Sequence, residues 1–379
     1  MSNTFVTPTE VARDASIVLS NLLVTGNLIS RDKEAKFTGN KIGDSMKVTV
    51  PPVLGDPSEF TGSTSATVIV ESEIDLTLEK HFYHRVDLTT KQKTLELSEF
   101  TRLVTAPIMR SFAQGIDKYF TKQMQVFRHQ LAGTVGNRPS TAAHIAAANK
   151  KLNDALIPKT GRIALVDTTV EESLIQLAQF TSQDYGSDGP AALRAATLGT
   201  RYGFTFVVDP FLGAFSRSAA ANDILPQPGV LVDGTVAAGG TTLHIDTITS
   251  ATGTIYAGTV FLVAGDTTRY VVRKDAAIAN NEVDLLIYPP LAAQATDGAA
   301  ITFEAAGYMN VAFHPNAIAG AIVAPQPLMG GNSVVQAVNG ISVRVSQDSS
   351  LVTLADSVVF DCYVGARVIQ PNGGCLVAG

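Results

Sequence analysis

Cysteine is nearly missing from this chain: Cys362 and Cys375 are the only two in 379 residues, and both lie near the C-terminus. Two cysteines build neither a disulfide framework nor a cysteine-based zinc site, and a reducing compartment fits so small a supply. Charge is also scarce. Asp, Glu, Lys and Arg make up 16% of the residues, with 28 basic against 34 acidic side chains and a net charge of −6. That balance argues against a disordered chain and against a strongly basic nucleic-acid binder. No run of about 18 uncharged apolar residues occurs, and the start MSNTFVTPTEVARD lacks a cationic segment followed by an apolar one, so neither membrane insertion nor export is expected. The sequence also holds no GxSxG elbow, no GxxxxGK[ST] phosphate loop, no GxGxxG after a strand and no HExxH. Six histidines are scattered as His81, His84, His129, His144, His244 and His314. His81 and His84 lie three apart on an expected strand, where alternate side chains face opposite ways, so they are not expected to share a metal. The expectation is a non-enzyme without cofactor or metal.

What is present is apolar: 45% of residues are hydrophobic. The length suits two or three folded units at roughly 150 residues each. A large protein with few charges often covers its surface with partners, because charge is depleted at interface cores, so assembly is expected. Val11, Ala15, Val18, Leu19, Leu22 and Leu23 recur at three- and four-residue steps and predict a helix over 9–23, docked either on its own subunit or on a neighbour. KIGDSMKVTV alternates as a strand until Pro51-Pro52 stop it. Residues 53–65 are turn-rich, and alternation resumes over 66–88, which predicts a long hairpin that something outside it should cover. Ser98 is a candidate cap for a short helix. Pro107 opens a longer one to about Leu131, with Ile108, Phe112, Ile116, Phe120, Met124, Phe127 and Leu131 on one face and Arg110, Lys118, Lys122 and Arg128 opposite. The basic sector is either a solvated face or a loose contact for phosphate backbones.

From 140 to 209 helices and strands mix. Ser140 or Thr141 is a candidate cap for a helix ending before Pro158, RIALV reads as a strand, and Thr168 with Glu171 has capping-box spacing. GPAALRAATLG reads as a short helix and GFTFVVDP as a strand. After DILPQPG the composition changes, and short β runs separated by Gly, Asp and Asn turns continue to about 305, as in a small barrel or sandwich. Residues 230–305 carry eight acids and three bases, a balance of −5 that holds nearly all the net charge. YMNVAFHPNAIAGAIVAPQP then reads as a strand followed by a helix from near Pro315, and ISVRVSQD and SVVFDCYVGARVIQP as closing strands.

The order of these parts resembles the major coat proteins of tailed bacteriophages, in particular the P-twenty-two type, a Hong Kong ninety-seven-like fold with an inserted β-domain. The segments that carry the resemblance are KIGDSMKVTVPP entering an extended loop, KHFYHRVDLTTKQKTLELSEF leading into APIMRSFAQGIDKYF, LGTRYGFTFVVDP, AFHPNAIAGAIVAPQP, and GISVRVSQDSSL followed by VVFDCYVGARVIQP. It implies an α+β fold with an N-terminal arm (1–40), an extended loop (41–88), a peripheral domain with a spine helix (89–139), an axial domain (140–225 and 306–340) interrupted by a small β-barrel (226–305), and closing peripheral strands (341–379). It also implies a self-assembling shell of pentamers and hexamers around double-stranded DNA, located in the virion and assembled in the host bacterial cytoplasm. Scaffolding, portal and decoration proteins are implied partners.

Laid over the residues, the resemblance turns the spine helix inward and the insert outward, so that Arg110, Lys118, Lys122 and Arg128 become candidate DNA-facing residues. Glu59 and Phe60 at the loop tip are candidate inter-subunit contacts, and Asp266 and Arg269 candidate insert contacts; each is otherwise an exposed or solvated turn. One branch of this lineage cross-links a loop Lys to a neighbour's Asn. Residues 53–65 hold no Lys, so noncovalent contacts are expected. A tail or baseplate protein, and a soluble enzyme with a β accessory domain, are the alternatives.

Overall fold

A computed structural model of the chain describes residues 8–32, 45–50, 59, 72–89, 101–181, 197–212, 215, 229–249, 252–328, 332–350 and 355–379. The chain forms two compact units, Met1–Ile116 with Ile318–Gln370, and Asp117–Ala317 with Pro371–Gly379.

The first unit is organised by one 14-residue strand, Ala355–Val368, which pairs antiparallel with Ile341–Ser350, Ile318–Val323 and Lys80–Thr89. Asn332–Val338 pairs with Ile341–Ser350 through a two-residue turn. Alternation gives the sheet two unlike faces: Val343, Val345, Val358, Phe360, Cys362 and Val364 are buried on one, while Arg344, Ser346, Ser357 and Tyr363 project from the other. The N-terminal helix Pro8–Leu22 buries Val11, Ala15 and Leu19, which recur every four residues. It packs on Asn332–Val338 and Ile341–Ser350, and the Ser16 hydroxyl donates to the Gln336 carbonyl at 3.0 Å. Of the two dockings open in the sequence, the structure has the helix on its own subunit.

The expected hairpin is present at its base, where Ser45–Val50 pairs with Ser72–Thr77. Its second strand does not run on to Leu88. It breaks at Leu78 and Glu79, and Lys80–Thr89 changes partner to Ala355–Val368. The backbones approach so closely at this exchange that a Cβ on Gly365 would stand 2.3 Å from the Thr77 carbonyl oxygen. Only glycine fits there. Nor is the base of the ribbon uncovered: Met46, Val48 and Leu76 pack against Ala319, Ala321 and Val323 of the same unit. Phe60 and the rest of the tip lie outside the described residues, as does the Ser98 cap, whereas Glu59 is described and exposed.

The helix expected from Pro107 is α-helical over Ala106–Gln123 and tightens into a 3-10 helix over Met124–His129, so the expected single α-helix ends early. Ile108, Phe112, Ile116, Phe120, Met124 and Phe127 are buried, as the spacing predicts, and Leu131 is half-buried.

In the second unit, Ile163–Val166 is buried along its whole length between Phe204–Val208, parallel, and Val311–Phe313, antiparallel. The sheet continues through Gly374–Val377 to Leu131–Ala132 on one side and to Thr200–Arg201 on the other. Helices Ala142–Asp154 and Thr168–Ile175 supply Ile145, Ala148, Leu152, Val170 and Leu174 to the same core as Phe180, Phe204 and Phe206. The second helix starts from Asp167, whose carboxylate accepts the Val170 N–H at 2.7 Å, and not from Thr168 as the capping-box spacing suggested.

Residues 231–303 form only strands among the described residues. A six-stranded sheet runs in the order Ile301–Phe303, Val260–Val263, Tyr270–Val272, Val283–Tyr288, Thr242–Asp246, Leu231–Val232, with Thr252–Ile255 and Ala276–Ala279 paired beside it. A bridge from Leu231 to Ala300 and the Ile301 N–H bond to the Val230 carbonyl tie its two ends together. Its core is its own, built from residues such as Leu243, Ile245, Phe261, Tyr270, Leu285 and Phe303.

One helix expectation changes. The segment after Pro315 makes one 3-10 turn, Pro315–Ala317, and then the fully buried strand Ile318–Val323. A short apolar run does not reveal its period, and sheet pairing decided it. The helix read over GPAALRAATLG falls mostly outside the described residues. Strands Ile318–Val323 and Asn332–Val338 belong to the first unit, and Gly374–Val377 belongs to the second.

Candidate functional site

The four basic residues of the helix meet three different fates. Arg110 and Lys118 are exposed on the α-helical part. Lys122, near its end, donates to the Asp275 carboxylate at 3.1 Å, and its ammonium lies 5.8 Å from the centre of the Tyr256 ring. Lys122 therefore meets the acidic insert instead of pointing away from it. Arg128 is 1% exposed, with its guanidinium 4.0 Å over the Phe215 ring, and does not present its charge to solvent. The helix change explains this. A 3-10 turn advances about 120° per residue against about 100° in an α-helix, so after four or five residues a side chain is displaced by about 80–100° from its expected sector. Arg128 accordingly leaves the set of DNA-facing candidates.

In the insert, Asp266 and Arg269 do not bind each other. Arg269 makes a two-pronged pair with Glu304, its Nε at 2.7 Å, and both side chains are largely buried. Asp266 accepts the Tyr270 hydroxyl and, at 2.8 Å, the Thr268 N–H; burial works to raise its pKa, and these hydrogen bonds outweigh it and hold the carboxyl below its ordinary value. Tyr270 is pushed up by burial and by that carboxylate, and its oxygen also accepts the Ala292 N–H at 2.9 Å. These residues clamp turns within the insert.

Two charged clusters were not read from the sequence. His244 stands opposite Asp284 in the strand register and bonds it at 2.8 Å, with Asp233 at 3.3 Å and Glu282 at 3.8 Å. The Asp284 hydrogen bond, helped by the three negative charges, raises the imidazole pKa against the opposing effect of burial. The alternation in TTLHIDTI and EVDLLIY puts acids and histidine on one face, but the pairing that aligns them is tertiary. On the open sheet face of the first unit, buried Asp361 accepts from Arg344 Nε at 2.9 Å and meets His81 Nε2 at 2.9 Å, while His84 turns the other way to Ser111 at 3.1 Å. The two histidines point apart, as strand alternation predicts. Asp361 and His81 are 280 residues apart, and no local pattern signals their meeting.

Neither thiol is poised for nucleophilic chemistry. Cys362 and Cys375 are buried; burial pushes the first far above the ordinary thiol value and the second up to about 12. Among the described residues no group of three or more His, Cys, Asp or Glu is disposed to hold a metal ion, and no helix is long and apolar enough to cross a membrane.

No family model and no curated protein matches the chain. Solved structures do. A structure from Mycobacterium phage Che8 aligns over 93% of this chain and 90% of its own at 18% identity, with a TM-score of 0.50. The capsid of the cyanophage P-SCSP1u aligns over 88% and 83% at 12% identity and a TM-score of 0.47. The mature capsid of bacteriophage PhiM1 aligns over 89% and 82% at 10% identity and 0.46. The chain shares its fold with the Che8 structure over about nine-tenths of both chains.

Proposed function

We propose that this chain is the major capsid protein of a tailed bacteriophage, assembling into pentamers and hexamers of an icosahedral shell that encloses double-stranded DNA. The observation that carries the reading is the fold shared with a phage structure over nine-tenths of both chains. The ordered run of segments resembling phage coat proteins, from KIGDSMKVTVPP to VVFDCYVGARVIQP, supports it independently. Scarce charge, inert thiols and the want of a catalytic signature are in keeping with a role exercised through surfaces.

The finer reading is of the P-twenty-two type: an arm, an extended loop, a spine-helix peripheral domain, an axial domain and residues 226–305 as the inserted barrel. Its mechanism is geometric. One sequence closes rings around five- and six-fold positions, so its contacts tolerate small rotations, and repeated modest contacts with several neighbours sum as in multivalent binding. In this reading Glu59 and Phe60 touch a neighbouring subunit, Arg110 and Lys118 face packaged DNA without reading sequence, and scaffolding, portal and decoration proteins bind at surfaces of the shell. With no Lys in 53–65, the shell is noncovalent, and boiled particles run as intact single subunits on a denaturing gel.

Electron microscopy of the purified, concentrated protein tests the reading. Closed shells of uniform diameter are expected. Tubes or discrete rings would point to a tail or baseplate component, and a monodisperse monomer with specific turnover of a small molecule would point to an enzyme.

A further inference from the structure

Lys80–Thr89 is an edge strand. One side pairs with Ala355–Val368 through consecutive residues without a bulge, and among the described residues no strand pairs with the other side. At about 3.4 Å per residue the open side is about 34 Å long. Such an edge is a template for another strand, and proteins that keep it solitary shorten it, twist it with a bulge, or set proline or lysine along it. KHFYHRVDLT has no proline, and its one lysine stands at the first position.

Its two faces differ. Phe82 and His84 point at the helix Ala106–Gln123: a Cβ on Gly115 would stand 3.6 Å from the Phe82 ring, and His84 Nε2 meets the Ser111 hydroxyl at 3.1 Å. His81, Tyr83, Arg85 and Asp87 alternate with them and lie on the open face. Tyr83 is 70% exposed, although it stands opposite buried Asp361 in the register. Arg85 donates to Asp87 at 2.9 Å and to the Ser357 hydroxyl at 2.9 Å, and both side chains of the Arg85–Asp87 pair remain more than half exposed.

We propose that this edge pairs antiparallel with the same edge of a second copy of the chain, across a two-fold axis at His84. A strand that pairs with itself in this way keeps its faces, so residues equally far from His84 stand opposite each other. Tyr83 then faces Arg85 of the partner subunit, an aromatic ring against a guanidinium; His81 faces the partner's Asp87, and Phe82 faces the partner's Val86. Each match occurs twice. An axis one residue later would set Arg85 against Arg85 of the partner subunit, and one residue earlier would set His81 against the partner's Arg85. Both give up the His81–Asp87 match, and like charges directly opposed work against pairing.

Self-complementarity selects the occupant. A partner strand must offer an acid, an apolar residue and a base opposite His81, Phe82 and Tyr83, and this strand read backwards offers Asp87, Val86 and Arg85. Contacts within a five- or six-membered ring join unlike surfaces, whereas a two-fold contact joins like ones. In a shell, a placement that rests on the reading above, the pairing therefore links subunits of neighbouring rings.

The test uses the full chain. At opposed positions the Cα atoms are about 4.5–5.5 Å apart, within reach of a disulfide. His84→Cys incubated with oxidised glutathione is expected to give a disulfide-linked dimer on a non-reducing gel. Arg85→Cys, whose two copies would stand about 8 Å apart, is expected to run as a single subunit. Cys362 and Cys375 are buried and do not compete. Tyr83→Lys sets an ammonium against Arg85 of the partner subunit and is expected to weaken dimerisation of dispersed subunits about tenfold in sedimentation velocity, with an unchanged unfolding midpoint. Adding Arg85→Glu restores opposite charges and is expected to restore dimerisation. These two variants leave the helix-facing side intact and decide the outcome if His84→Cys does not fold. Pairing of this edge with any other strand leaves the thiol of His84→Cys without a counterpart. No dimer band, an equal band from Arg85→Cys, or dimerisation of Tyr83→Lys at the wild-type concentration would therefore overturn the pairing, and shells that still form would leave the shell reading standing. A wild type that forms no shell while His84→Cys links would remove the shell and uphold the pairing.

Discussion

The insert over 231–303 and the sheet around Ala355–Val368 are both antiparallel, yet they are put together by opposite means. The insert pairs strands that follow one another within about 70 residues and closes a core of its own. The other sheet aligns Lys80–Thr89 with Ala355–Val368, joining Val86 to Val358 and Phe82 to Cys362 across most of the chain. Loop-closure entropy must be met before such distant pairs stabilise anything. The insert is thus a local folding problem and the sheet a global one.

The largest test of that contrast is Phe261→Ala. Phe261 is fully buried against Tyr270 and Phe303, and truncation is expected to cost about 3–5 kcal/mol. If the insert is a separate cooperative unit, hydrogen exchange in 242–303 accelerates while protection in 341–350 and 358–368 holds. Loss of protection in both would erase the distinction. Gly365→Ala is the reciprocal experiment, with an expected cost of about 1–3 kcal/mol, because the new Cβ meets the Thr77 backbone. Exchange should then rise in 72–89 and 355–368 and leave the insert protected. The smallest effect is that of pH on His244. Its pKa is raised in the fold, so its stabilisation is complete below the ordinary value of about 6.5 and fades as pH rises through the folded value. The insert's melting temperature is expected to fall across that window, and His244→Gln should flatten the slope. An unchanged slope in the variant would remove His244 as its source.

The same contrast explains what was legible beforehand. TTLHIDTI, TVFLVAG and EVDLLIYPPL carry alternation and turn residues within themselves, and each became a strand. TGTI and AAIA carry little apolar side chain to alternate, so the pairing of Thr252–Ile255 with Ala276–Ala279 shows only in the fold. AIAGAIV looked helical because alanine and glycine satisfy either period, and the partner strand decided. Side-chain exposure depends on neighbours and is harder to read than an element: Arg128 turns inward where its helix tightens, and Arg269 pairs with Glu304.

By itself the sequence determined the periodic elements and the acidic character of residues 230–305, because these follow from side chains near one another in the chain. Only the tertiary structure decided where Lys80–Thr89 pairs, which charges are buried in pairs and which apolar side chains are left outside. Those outcomes depend on backbones meeting across long stretches of chain, and a one-residue change of register or helix pitch sends the same side chain to the opposite face.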